Sequence, residues 1–285
     1  MQTSVYVCAA VVFLASPLTC ADEVHDKLTV AIEKHQERRD AAAAALVAVY
    51  QERITELTSK GDTTLASEYL NDMEEFKSRR ALLGRPDLAI HFKTYGKAVK
   101  EAGDELNEAY SEAMQARLKA GMSDEFSILQ QELADARLPG PLTSFSLPGT
   151  RASLAHGSFV LHAMEARVTA TQLNATYEKV NGLAGANWTS FRSVNFPDFY
   201  LGHGGFRMRL LEFKTNGEIN QNATFAVRVG LAGKSKGYSY ESYNYPGRFI
   251  RVRDNGEVWL DQLENNPKFA AQATFRERPP LFRLW

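Results

Sequence analysis

Cysteine is nearly absent. Among 285 residues only Cys8 and Cys20 carry a thiol, and both lie in the first twenty positions. Beyond that stretch no disulfide and no thiolate metal site can form. Long hydrophobic runs are missing too. The apolar stretch from Val5 to Leu18 is too short to span a bilayer as a helix, and no second run is long enough, so no transmembrane segment is expected. Thr19-Cys20-Ala21 then gives a small-x-small pattern before Asp22. This predicts a signal peptide over residues 1–21 and a secreted, periplasmic or cell-surface protein. No Lys or Arg precedes the run, which is atypical, and Pro17-Leu18-Thr19 suits lipid attachment at Cys20 poorly. An excess of one charge is also lacking: 33 Lys/Arg face 34 Asp/Glu, a net of −1. That balance gives no reason to expect nucleic acid as a partner.

The overall neutrality hides two unlike halves. Asp22–Arg137 holds 16 Lys/Arg and 23 Asp/Glu, and the remainder holds 17 and 11. The acidic half has a single proline, Pro86, and five glycines, and it is rich in Ala, Glu, Leu, Lys and Arg. Such composition favours helix. Phe92, Tyr95, Val99, Ala102, Leu106, Ala109 and Ala113 step by three and four, the seam of a coiled-coil-like helix. Breaks at Gly61, at Leu83-Gly84-Arg85-Pro86 and at Gly121 predict four helices, roughly 23–60, 63–83, 87–120 and 123–137. The arrangement repeats: Leu46-x-x-x-Tyr50 precedes Gly61 by the spacing at which Leu106-x-x-x-Tyr110 precedes Gly121. Residues 22–138 therefore read as two antiparallel helical hairpins of about 60 residues each. The exposed seam offers a homo-oligomer or a protein partner a surface. His25, His35 and His91 are scattered and form no ligand set, so neither a metal nor any other cofactor is expected here.

At Leu138-Pro139-Gly140-Pro141 the character changes. Fourteen of the nineteen glycines and all three tryptophans follow, and aromatic and β-branched residues alternate with polar ones. Three units can be aligned, roughly 143–186, 187–235 and 236–285. They share Asn174-Ala175-Thr176-Tyr177, Asn222-Ala223-Thr224-Phe225 and Gln272-Ala273-Thr274-Phe275. Gly182-Leu183-Ala184-Gly185 and Gly230-Leu231-Ala232-Gly233 follow the first two. S-F-R-S-V-N-F-P at 190–197 matches S-Y-E-S-Y-N-Y-P at 239–246, while the first unit keeps only Leu147-Pro148-Gly149. Leu154 to Phe159 (L-A-H-G-S-F) matches Leu201 to Phe206 (L-G-H-G-G-F). Three β-rich units, none able to close a core alone, predict a closed threefold assembly of twelve short strands. The N-x-T triplets at Asn174, Asn187 and Asn222 also read as glycosylation acceptors, but two of them coincide with the structural repeat.

Across about 140 residues this pattern resembles the arabinose-binding domain of fungal and bacterial α-L-arabinofuranosidase B. That family's repeat carries S-x-x-S-x-N-x-P, Tyr-Leu-x-His and a closing Asp-Ala-Thr-Phe; Ser190, Ser193, Asn195, Pro197, Tyr200, Leu201 and His203 match it most fully. The resemblance implies a β-trefoil over 139–285 that binds arabinofuranose side chains of hemicellulose, the His and closing Asp of each lobe holding sugar hydroxyls. Carried over by position, the pairs are His156 with Asn174, His203 with Asn222, and Val252 with Gln272. No copy keeps the acid, and the third has also lost His, so that lobe is expected to be dead. The fold class is therefore α plus all-β, helical hairpins followed by a trefoil. The leading function is a secreted, non-catalytic carbohydrate-binding protein with a helical spacer. The alternatives are a structural protein with a degenerate trefoil, and a basic face of Arg207, Arg209, Arg248, Arg251 and Arg253 binding an acidic polysaccharide. The resemblance implies no hydrolase, because that activity belongs to a separate catalytic domain. A barrel-type one needs about 250 residues, against the roughly 116 helical residues available here.

Overall fold

A computed structural model describes residues 17–136, 139–214 and 217–284. Residues 1–16, which hold most of the predicted signal segment, lie outside the described residues. Four long helices come first: α1 (Pro17–Ser59), α2 (Thr63–Arg79), α3 (Ala89–Lys119) and α4 (Ser123–Asp135). The expected breaks are where they fall. Gly61 (φ +80°) and Gly121 (φ +74°) take the left-handed conformation that ends a helix. Asp62 then caps α2, its carboxylate accepting from Leu65 N at 3.1 Å. α2 stops four residues short of the expected end. Arg80 adopts φ 55°, and its N–H closes onto Phe76 O. Among the described residues no helix is long and apolar enough to cross a membrane.

Packing divides the chain differently from composition. Among the described residues, one compact unit holds 17–37 together with 102–136. Its core is Leu28, Leu106, Tyr110 and Ala113, with Leu129 and Leu133 packed against it. The other holds Arg38–Glu101 and Pro139–Trp285. Its helical core of Leu46, Tyr50, Tyr69, Met73, Phe76 and Phe92 also takes in Leu173, Val194, Phe282 and Leu284 from beyond the composition boundary. These four apolar side chains continue the helical seam into the β region, which is why residues 38–101 cluster with it. The stripe offered as an assembly surface is occupied within the chain: Phe92, Ala102, Leu106 and Ala113 are all buried.

The second unit's β region has twelve strands. They are β1 (Leu142–Ser146), β2 (Ser153–Gly157), β3 (Val160–Met164), β4 (Tyr177–Gly182), β5 (Gly185–Ser193), β6 (Phe199–Gly204), β7 (Arg207–Glu212), β8 (Phe225–Val229), β9 (Tyr238–Ser242), β10 (Arg248–Val252), β11 (Val258–Gln262) and β12 (Arg276–Arg278). Short helices α5 (Thr169–Asn174), α6 (Glu218–Asn222) and α7 (Pro267–Gln272) precede the three Ala-Thr-aromatic segments. Six strands pair antiparallel in the order β12-β1-β4-β5-β8-β9. A Tyr238–Phe275 bridge brings β9 back to the start of β12, so the ring closes. The hairpins β2-β3, β6-β7 and β10-β11 meet one another through Val160–Arg209, Arg207–Trp259 and His162–Glu257.

The repeated residues explain themselves. Phe145, Phe191 and Tyr240, equivalent in the three units, meet edge to face with centroids 4.9, 5.3 and 5.4 Å apart, a geometry worth about 1 kcal/mol per pair beyond burial. Thr176, Thr224 and Thr274 are fully buried; each hydroxyl bonds a carbonyl in the preceding helix, at 2.8, 2.6 and 2.8 Å. Each hydroxyl also accepts from a loop N–H: Ala184 to Thr224, Ala232 to Thr274, and Phe282 to Thr176. The adjacent N–H of Leu183, Leu231 and Leu281 donates to Ser190, Ser239 and Ser144. Leu281-Phe282 is thus the third copy of the Leu-Ala loop.

Candidate functional site

In the second repeat, β6 delivers His203 to the mouth of the β6-β7 hairpin. The two turn residues, Gly205 and Phe206, both have positive φ (58° and 64°), the two-residue turn that matches strand twist. A phenylalanine rarely adopts that conformation. Here it lays the Phe206 ring over His203, centroids 5.8 Å apart and planes within 16°. Arg248 covers Phe206 at 4.1 Å, a cation–π contact. Tyr245 meets both rings edge-on.

His203 and Asn222 do not touch in the described contacts; Asn244, from the next repeat, joins them. Asn244 Oδ1 lies 3.4 Å from His203 Nε2 and accepts from Ser242 Oγ at 2.9 Å. Its Nδ2 donates to Asn222 Oδ1 at 2.7 Å. Burial holds the His203 imidazole below its ordinary pKa, Asn244 partly offsets this, and Arg248 lowers it further. The ring is therefore neutral near pH 7, donating from Nε2 and leaving Nδ1 as an acceptor. His203, Asn222 and Asn244, with Gly205, Phe206, Gln221 and Tyr245, border an open cavity of about 350 Å³. Its lining contains amides, an imidazole and two aromatic rings but no carboxylate.

The first repeat builds the same constellation. His156 Nε2 lies 3.1 Å from Asn195 Oδ1, Ser193 Oγ donates to the same oxygen, and Asn195 Nδ2 donates to Asn174 Oδ1 at 2.7 Å. Ser158 and Phe159 form the positive-φ turn, and Phe159 stacks on His156. The environment differs. Phe199 stands where the second repeat has Arg248 and packs on Phe159 at 4.9 Å. Asn195 is 2% exposed, and its backbone oxygen accepts from Leu82 N of the helical segment. Burial pushes His156 down to about 4.

The third repeat lacks the constellation. Val252 replaces His, and Gly149, five residues after Ser144 as Asn195 follows Ser190, replaces the bridging Asn. Gln272 is engaged by Arg251 at 2.9 Å and by Asp254 at 2.7 Å. The sequence pairs are thus brought together in two lobes of three. The residue that sequence reasoning left out of the site is the bridging Asn; its signal was the Asn of S-x-x-S-x-N-x-P. Four of the five arginines are engaged within the chain, and Arg209 is exposed. Arg251 pairs with Glu264 and Asp261, Arg253 grips Asp261 through two nitrogens, and Arg248 lies on Phe206. Arg207 contacts His162 and lies 4.0 Å from Glu257. Among the described residues no group of three or more His, Cys, Asp or Glu is placed to hold a metal.

The model of the α-L-arabinofuranosidase B (ABFB) domain matches residues 143–277, the span that holds both constellations. These residues are an arabinofuranosidase B domain. A curated relative, α-L-arabinofuranosidase B of Penicillium canescens, is 35% identical over 86 residues, 30% of this chain and 18% of the relative. The chain therefore spans less than a fifth of that protein's length. Among solved structures, an arabinofuranosidase complexed with arabinofuranosyl-α-1,2-xylobiose has 23% identity and a TM-score of 0.46, covering 50% of this chain and 32% of its own. A Polyporus squamosus lectin has 13% identity and a TM-score of 0.37, covering 50% and 49%.

Proposed function

We propose that the arabinofuranosidase B domain is a β-trefoil carbohydrate-binding module that takes arabinofuranose side chains of hemicellulose, without hydrolysing them. The observation that carries this is the His203–Asn244–Asn222 network at the edge of an open cavity, repeated at His156–Asn195–Asn174. A furanose offers hydroxyls that both donate and accept. A neutral imidazole and three carboxamides supply matching groups, and Phe206 and Tyr245 supply apolar ring surface. Glycoside hydrolysis needs two facing carboxylates, and the cavity lining has none. The second lobe is the working one. In the first, Phe199 packs on Phe159 and Leu82, from the connection between α2 and α3, bonds Asn195; in the third, Gln272 is taken up by Arg251 and Asp254.

In the same reading the protein is exported and the helices hold the module away from the rest of its surroundings. Isothermal titration of the whole chain with arabinan and with arabinoxylan tests the binding. The wild type should bind both, and His203→Ala should bind more weakly by about tenfold, the loss of one or two polar contacts of about 1 kcal/mol each. Equal affinity in wild type and variant would remove the second lobe from the account.

A further inference from the structure

A groove of different chemistry shares no lining residue with the His203 cavity. Lys234 and Lys236 sit on a single 3₁₀ turn (Lys234–Lys236), and Arg276 and Arg278 sit on β12. All four are exposed, and together they line a groove of about 620 Å³. Alternation along β12 puts Arg276 and Arg278 on one face. Glu277, between them in sequence, also borders the groove, but Lys179 and the Tyr240 hydroxyl hold its carboxylate at 2.9 and 2.8 Å. The carboxylate between the two arginines is therefore already engaged. Among the described residues none of the four cations has an ion pair, whereas most charges elsewhere in the β region are paired.

Gly237 brings the two elements together. Its φ is +136°, and a Cβ there would lie 2.0 Å from Phe275 O. Only glycine lets the lysine turn lie this close to the strand that carries the arginines. Tyr238, 46% exposed, lies in the groove among the cations.

We propose that this groove binds an anionic polysaccharide, a glycan chain bearing carboxylate or sulfate groups. Two arginines on one strand face can grip such groups through paired N–H donors, and the lysines add point charges. Tyr238 gives a sugar ring a flat apolar partner. A single-stranded nucleic acid is disfavoured, since its grooves carry aromatic rings for successive bases and this one carries one. The site does not depend on the His203 cavity.

The test is binding of the whole chain to polygalacturonate, with dextran sulfate, neutral arabinan and an oligothymidylate as comparators. Polygalacturonate or dextran sulfate should bind at about 50 mM NaCl and weaken steeply by about 500 mM, and which of them binds names the anionic group. Lys234→Ala/Lys236→Ala and Arg276→Ala/Arg278→Ala should each weaken binding by about tenfold or more. His203→Ala should leave it unchanged. No binding to either anionic glycan, equal binding by the paired variants, or tighter binding of oligothymidylate would overturn the proposal. Circular dichroism of each variant distinguishes lost contacts from lost fold.

Discussion

Asn244 Nδ2 donates to Asn222 Oδ1 at 2.7 Å across a repeat boundary, so the second lobe is assembled from two units of the threefold repeat. The same bond recurs between Asn195 and Asn174. A lobe is therefore complete only when the following repeat is folded against it. Asn244→Ala should lower affinity for arabinan by about tenfold although it alters neither His203 nor Asn222, because the buried His203 and the half-buried Asn222 it joins lose about 1–3 kcal/mol of pairing. Titration calorimetry checks this, and unchanged affinity would show that the bridge is dispensable.

His156 makes stability depend on pH. Its folded pKa of about 4 lies below the unfolded value near 6.5. The unfolded chain thus takes up the proton first as pH falls. The contribution is complete above pH 6.5 and declines between 6.5 and 4, by at most about 3 kcal/mol. Urea midpoints of wild type and His156→Gln, compared from neutral pH down to about 4.5, should converge on the acid side as this contribution drains away. A constant difference across that range would contradict the buried neutral imidazole.

Arg192 and Glu178 face each other across β4 and β5 as a buried ion pair. Burial raises the carboxyl pKa, and the guanidinium opposes that rise. Arg192→Met should destabilise by about 3–5 kcal/mol, because it strands a buried carboxylate, while Arg192→Met/Glu178→Leu should recover most of the loss. Equilibrium denaturation of both variants gives the comparison.

Phe282 serves two structures. Its N–H completes the third Thr-capped loop, and its ring is buried in the helical core beneath Lys93. Phe282→Ala should cost about 3–5 kcal/mol and lower the thermal midpoint of helix and strand signals together. Loss of only one signal would mean that residues 38–101 and the β region do not unfold as one unit.

Much of this was legible in the residues. Gly61 and Gly121 mark turns because their left-handed backbone excludes most side chains. The Ala-Thr-aromatic segments mark the repeat because each threonine has several fixed partners. Leu281-Phe282 escaped notice as a third loop because the bonding groups are backbone N–H, which leaves the side chains free to differ from Leu-Ala. Asn195 and Asn244 were visible as motif residues, but their partners lie in the preceding repeat, and only closure of the ring brings them together. The grouping of residues 38–101 with the β region depends on Leu173, Val194 and Leu284. Their apolar character is ordinary for a β-rich core, so nothing in them announced a helical neighbour.

The most direct measurement is titration of arabinan into wild type and Asn222→Asp. The aspartate keeps the acceptor that Asn244 already uses and replaces the NH₂ group with a second, charged acceptor for sugar hydroxyls. Charge-assisted bonds are about twice as strong as neutral ones, so affinity should rise several-fold over a measurable wild-type value. No heat from either protein, with the fold intact by circular dichroism, would contradict the claim that this lobe binds sugar.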